Sequence, residues 1–240
     1  MSLNILYIPR LTNPCLQSLP EGLTAYYKLD ETSGTTVIDS LGNYDLTNIG
    51  ITVNVPGKLG KCYSFPHDNT KYLYGPSPLA GLKEWTISLW VLMNNTGGYE
   101  QQSMIGGDAQ FPCFSPILSK MTYQQLGGGY YSFGGGNFMA EAGSFTPDIW
   151  YLLTQRGYLT DQGQVMSRMS LNNIHRPNFS YTEYYDLTKI GSTIYVGKHA
   201  GYSFPGMDGL IDNIGIWNRL LTDCEIEAYY ASGNGVELNV

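Results

Sequence analysis

Apolar and polar residues alternate along much of this chain in short runs separated by turn formers. Leu23, Ala25, Tyr27 and Leu29 interleave with Thr24, Tyr26 and Lys28, the period of two that marks a half-buried strand. Ser33-Gly34 and Leu41-Gly42-Asn43 read as turns. Further strands are predicted near 45–48, 61–65, 71–74 and 85–93. In the last, Trp85, Ile87, Leu89 and Val91 share one face, with Ser88, Trp90 and Leu92 on the other; Trp90 is expected to be buried under a neighbouring segment. Residues 150–156 and 164–171 form a predicted hairpin with Asp161-Gln162-Gly163 at its turn, and 192–197 is another strand. From 94 to 148 the pattern is broken by paired and tripled glycines.

The stretch 204–235 organises the rest. A turn at Pro205-Gly206 leads into a strand predicted to carry Leu210, Ile214 and Ile216 on one apolar face, with Asp212 on the same side. An ionised carboxylate there is costly unless N–H groups, a cation or a metal satisfies it. Thr222 to Glu225 matches a capping box, and Ile226, Tyr229 and Tyr230 follow at helical spacing before Gly233. One short helix therefore closes the chain.

Composition supports a β-rich chain. The 240 residues include 29 glycines and 20 tyrosines, and only 14% are charged. This suits many short strands joined by glycine turns, in one domain of sandwich size. The net charge of −7 argues against binding through nucleic-acid phosphates. No apolar run approaches the roughly 20 residues that span a bilayer. The first ten residues lack a basic start, and Pro9 and Arg10 interrupt their apolar run, so no secretory signal is read. Residues 1–21 read as an extended arm, broken by Pro9, Pro14 and Pro20. Leu3, Ile5, Tyr7 and Ile8 are its candidate partner-binding anchors; an extra edge strand is the alternative. The four cysteines make no C-x-x-C and allow three pairings. A core this large needs no staple, so free thiols are expected.

Several segments carry a family resemblance. Gly209, Ile211, Asp212, Ile214, Ile216, Trp217, Asn218, Arg219, Leu221, Thr222, Glu225 and Ile226 resemble the closing signature of the laminin G-like, concanavalin A-like jelly-roll domains. Leu23 to Gly34 with Asp39 to Gly42 resembles the opening signature, and 57–65 and 85–91 fall between them in the family's order. The likeness spans about 22–235. It implies an all-β, two-sheet antiparallel jelly-roll sandwich over 22–240 with a short C-terminal helix, and a functionally mixed family.

Glycosidases of this fold carry E-x-D-x-E on one strand, so that acid and nucleophile share a face. Here Asp212 is followed by Ile214 and Ile216, and no nucleophile elbow G-x-S-x-G occurs. The expectation is a non-catalytic protein. Some members of the resembling family bind calcium with acids near the first and last strands; the matching positions are Asp30 and Asp212, with Asp39 nearby. The competing reading is that Asp212 accepts backbone hydrogen bonds. In the glycine-rich middle, Tyr130, Tyr131 and Phe133, with Asn137, are candidates for stacking on a glycan, against the plainer reading of a core strand with loose turns. Two function classes follow. One is a structural component of a phage virion, decorating a capsid or fibre through its arm. The other is a secreted or cell-surface lectin-like module. Partners are accordingly other virion or assembly subunits, possible homo-oligomer copies and glycans.

Overall fold

A computed structural model of the chain describes residues 13–94, 102–108, 114–120, 125–132, 136–162, 164–181, 190–198 and 206–240, with the backbone alone for parts of the middle strands. After a one-turn helix α1 (Pro14–Gln17) come β1 (Leu23–Tyr27), β2 (Thr36–Val37), β3 (Leu46–Ile49), β4 (Thr52–Pro56), β5 (Lys61–Pro66), β6 (Tyr72–Pro76) and β7 (Glu84–Met93). The middle supplies β8 (Gln102–Gly107), β9 (Phe114–Lys120), β10 (Gln125–Ser132) and β11 (Gly136–Ser144). Then follow β12 (Trp150–Leu159), β13 (Val165–Leu171), β14 (Ile174–His175), β15 (Phe179–Tyr181), β16 (Thr193–Val196), β17 (Asp208–Trp217) and α2 (Asp223–Tyr230).

The strands form two antiparallel sheets. The first runs β14-β13-β12-β7-β17-β5-β4, with β1 also on β17 and β15 on β13; the second runs β11-β10-β9-β8-β16-β6-β3-β2. Their inner faces enclose the main core, where Trp85, Ile87, Leu89 and Val91 meet Leu73, Ile105, Ile194 and Val196. The hairpin read at 150–171 is β12–β13, paired from Leu153↔Leu171 to Leu159↔Val165.

A second apolar cluster covers the outer face of the first sheet. Trp90, Leu152, Trp217 and Tyr26 lie there under Leu19, Ile226, Tyr229 and Leu238. Trp90 is fully buried, as expected, with Tyr230 stacked on it at 5.9 Å between ring centroids. The lid is α2, whose N-terminus carries the predicted capping box: Glu225 N–H donates to Thr222 Oγ1 and Thr222 N–H to Glu225 Oε2.

Three expectations are corrected. Residues 13–21 are part of the domain: Trp217 Nε1 donates to the Leu19 carbonyl at 2.7 Å, Arg219 donates to the Ser18 and Glu21 carbonyls, and Leu19 is fully buried. Residues 1–12, with the anchors Leu3, Ile5, Tyr7 and Ile8, lie outside the described residues. Second, Cys15 and Cys224 are disulfide-bonded, with 5.9 Å between their Cα atoms, where free thiols were expected. The inference from core size fails because this bond staples the thin lid, not the sandwich. Cys62 is free and buried, its thiol pushed up to about 12 by burial and then by Asp212.

Third, Leu210 does not share the face of Ile214 and Ile216. The pairing of β17 with β7 shifts between Asp212 and Gly215, and Asn213 sits at φ 48°, a conformation Asn tolerates. Ile211 therefore joins Ile214 and Ile216 in the main core, while Asp212, level with Trp90, faces the lid. The bulge has a topological origin. On its other edge β17 pairs with β5 through residue 211 and with β1 from residue 214, so the kink falls where one partner hands over to the next.

Candidate functional site

Strands β3, β6 and β16 lie side by side in the second sheet, and their alternation is strict. Leu46, Leu73, Ile194 and Val196 point into the core, which leaves Thr47, Ile49, Tyr72, Tyr74 and Tyr195 on the outer face. Register brings the tyrosines together, Tyr195 opposite Tyr74 and Ile49 opposite Tyr72. Ring centroids are 5.9 Å apart for Tyr72–Tyr74, 5.8 Å for Tyr72–Tyr195 and 6.3 Å for Tyr74–Tyr195, the last pair inclined by only 22°. Lys198 places its ammonium 4.2 Å from the Tyr72 centroid, a cation–π contact. Burial, followed by the negative Asp108, raises the Tyr195 pKa, so its hydroxyl stays protonated at neutral pH.

Tyr74 is 38% exposed and Ile49 37%. The result is an apolar, π-rich patch edged by phenol hydroxyls and one ammonium. Electron-rich ring faces attract the weakly positive C–H groups of a flat ligand, while hydroxyl rims exchange hydrogen bonds with polar substituents. Sequence reading did not nominate these tyrosines. The signal was present in the Y-L-Y and I-Y-V alternation of β6 and β16, but their convergence depends on which strands pair.

The nominated glycan contacts sit elsewhere. Tyr130 and Tyr131 fall on β10, paired with Phe138 and Asn137 of β11 across a hairpin. Being consecutive, positions 130 and 131 belong to opposite faces of that sheet. Phe133 lies outside the described residues.

The nominated calcium ligands Asp30 and Asp212 both lie against the 57–61 loop, yet their oxygens meet hydrogen-bond donors. Leu59 N–H donates to Asp212 Oδ2 at 2.8 Å and Asn213 Nδ2 to Asp212 Oδ1 at 2.7 Å. Lys61 N–H donates to Asp30 Oδ1 at 2.6 Å. A Cβ on Gly57 would stand 2.6 Å from Asp212 Oδ2, so this approach requires glycine. Asp39 likewise accepts from the amides of Tyr26, Leu41, Asn43 and Tyr44. Calcium needs six to eight oxygens at about 2.3–2.6 Å. Among the described residues no three His, Cys, Asp or Glu side chains gather. This cradle of N–H donors, from the backbone and the Asn213 side chain, does not fit a calcium ion. It matches the competing reading, in which Asp212 ties the loop to β17. Burial raises the Asp212 pKa to about 7, against the pull of the Leu59, Asn213 and Lys58 donors.

The remaining acids are also engaged in structure. Asp30 and Glu31 take different partners, Glu31 accepting from Ile38 N–H and the Tyr63 hydroxyl. Glu225 accepts from both terminal nitrogens of Arg219, from Ser18 and from Thr222; these bonds outweigh burial and hold its pKa at about 2.

A two-sheet sandwich with this strand order defines a class of lectin-like domains. The chain belongs to the concanavalin A-like lectin/glucanase superfamily, whose laminin G family model matches residues 67–227. No curated protein matches it in sequence. Among solved structures it is similar to domain 4 of AbnA, a GH43 extracellular arabinanase from Geobacillus stearothermophilus, in complex with arabinotriose. That likeness has TM-score 0.60 and 20% identity, covering 86% of this chain and 97% of that one. The ligand-binding domain of botulinum neurotoxin serotype D, in complex with N-acetylneuraminic acid, gives TM-score 0.67 at 10% identity over 91% of this chain and 52% of that one. Trypanosoma rangeli sialidase with 2,3-difluorosialic acid gives 0.66 at 13% over 90% of this chain. The chain spans 34% of the sialidase's length. At these identities the likeness establishes the fold.

Proposed function

We propose that this domain is a non-catalytic glycan-recognition module whose contact surface is the Tyr72–Tyr74–Tyr195 face. The observation that carries the reading is the convergence of three tyrosines from two adjacent strands on a partly exposed sheet face, beside Lys198. Such a patch suits the C–H face of a pyranose or furanose ring. Solved relatives of the same fold hold arabinotriose and N-acetylneuraminic acid, which supports sugar as the ligand class. The structural engagement of Asp30, Glu31, Asp212 and Glu225 supports recognition over hydrolysis.

The disulfide supports a working environment outside the reducing cytosol, at an extracellular, cell or virion surface. In the virion reading, residues 1–12 attach the domain to an assembly and the tyrosine face meets host-surface sugars.

A glycan array with the intact protein, repeated with Tyr72→Ala, Tyr74→Ala and Tyr195→Ala, tests the site. Each substitution is expected to weaken binding by roughly 2–10-fold, the value of one aromatic contact. Retained binding in all three, with loss when Tyr130, Tyr131, Phe133 and Asn137 are replaced, would move the site to β10–β11. An array without signal would remove the glycan reading.

A further inference from the structure

A different cluster occupies the opposite side of the sandwich. On the outer face of the first sheet, β12 and β13 set Arg156 directly opposite Arg168. Like charges so placed repel one another. Asp223, the first residue of α2, bridges them: Arg156 donates to its Oδ1 at 2.6 Å, and Arg168 donates to both of its oxygens at 3.1 Å. His175 Nδ1 lies 3.7 Å from the same carboxylate, but burial keeps the imidazole below its ordinary pKa and uncharged at neutral pH. Two cations and one anion leave one positive charge uncompensated, in a chain whose net charge is −7.

That charge borders a cavity of about 190 Å³ lined by Arg156, Tyr158, Ser167, Arg168, Asn178 and Leu220. The space equals on the order of six water molecules, enough for a small charged group. Arg156 is only 6% exposed, and its Nε–H has no partner among the described residues. A buried guanidinium with an incomplete set of partners is expensive to maintain, and an oxyanion in the pocket would supply the missing opposite charge.

We propose that this pocket binds a single singly charged oxyanion group, a carboxylate or a sulfate, carried on an acidic sugar. Asp223 and the Arg176 carbonyl take three of the five N–H donors of Arg168, so what it offers such a group is its positive charge and the one remaining N–H on each terminal nitrogen. Tyr158 and Asn178 offer neutral hydrogen-bonding groups for the ring that bears it. The sugar half of the proposal rests on reading the domain as a glycan-binding module; the anion half does not. The pocket shares no residue with the tyrosine face, so the two sites are separable.

The test is an NMR titration of the isotope-labelled intact protein with D-glucuronate, a glucose sulfate ester and D-glucose, at matched ionic strength. Saturable shifts in β12 and β13 are expected with glucuronate or the sulfate ester and not with glucose. Arg168→Met is expected to weaken that binding about tenfold or more. Asn178→Asp, at an exposed position where folding is not at stake, is expected to weaken it similarly by repulsion. Tyr74→Ala is expected to leave it unchanged. No saturable shift with either anion, equal shifts with glucose, or wild-type binding by both pocket variants would overturn the proposal. Silent anions alongside array binding that depends on the tyrosines would sink this inference alone.

Discussion

Asp212 is fully buried, and desolvation, helped by the negative Asp30, outweighs its donors Leu59, Asn213 and Lys58, so its carboxyl releases a proton only at about pH 7. In the unfolded chain the same group ionises near pH 4. Its contribution to stability is thus complete below about pH 4 and is lost as pH rises through about 7. Asp212→Asn removes this dependence while keeping an acceptor for the 57–61 loop. Thermal unfolding across that range is expected to show a melting temperature for the variant that gains on the wild type as pH rises. Parallel curves would mean that Asp212 ionises alike in both states. Glu225 carries the opposite sign: its stabilisation is present above about pH 4.5 and is lost as pH falls toward about 2.

At the scale of elements, α2 is held by its capping box, the Arg219–Glu225–Ser18 network, the pairing of Asp223 with Arg156 and Arg168, and the Cys15–Cys224 bond. Replacing both cysteines by Ser is expected to destabilise the domain by about 2–5 kcal/mol, read by denaturant unfolding. An unchanged midpoint would mean that packing of Leu19, Ile226 and Tyr229 holds the lid unaided. The capping box was legible in the sequence because all its chemistry lies within four residues. So were the inward face of β7, where a period of two is unbroken, and the β12–β13 hairpin, through its turn residues. The kink at Asn213 was not, because it arises from β17 having two successive partners on one edge. Nor was the disulfide, whose cysteines stand 209 residues apart with three pairings open. Among the site residues, the alternation of Tyr72 and Tyr74 was visible, but their meeting with Tyr195 depended on β6 pairing with β16.

For the whole molecule, the described sandwich and lid close with residues from Asn13 onward, and if residues 1–12 are the docking arm proposed above, deleting them is expected to leave the melting temperature nearly unchanged. If that deletion abolishes self-association or attachment to a partner, those residues are the docking arm; unfolding would make them part of the sheet. The bond between Cys15 and Cys224 has a mechanical consequence as well. A pull applied to the two chain ends passes from one flank to the other through this covalent link and bypasses every hydrogen-bonded strand between them. In single-molecule stretching, the oxidised protein is expected to yield only its short flanks. Once reduced, the same molecule releases the chain between the two cysteines, a sequence separation of 209, for a gain in contour length of roughly 70 nm at about 3.3–3.6 Å per residue. A domain wired in this way can be held in tension at a surface without its ligand-facing sheets bearing the load.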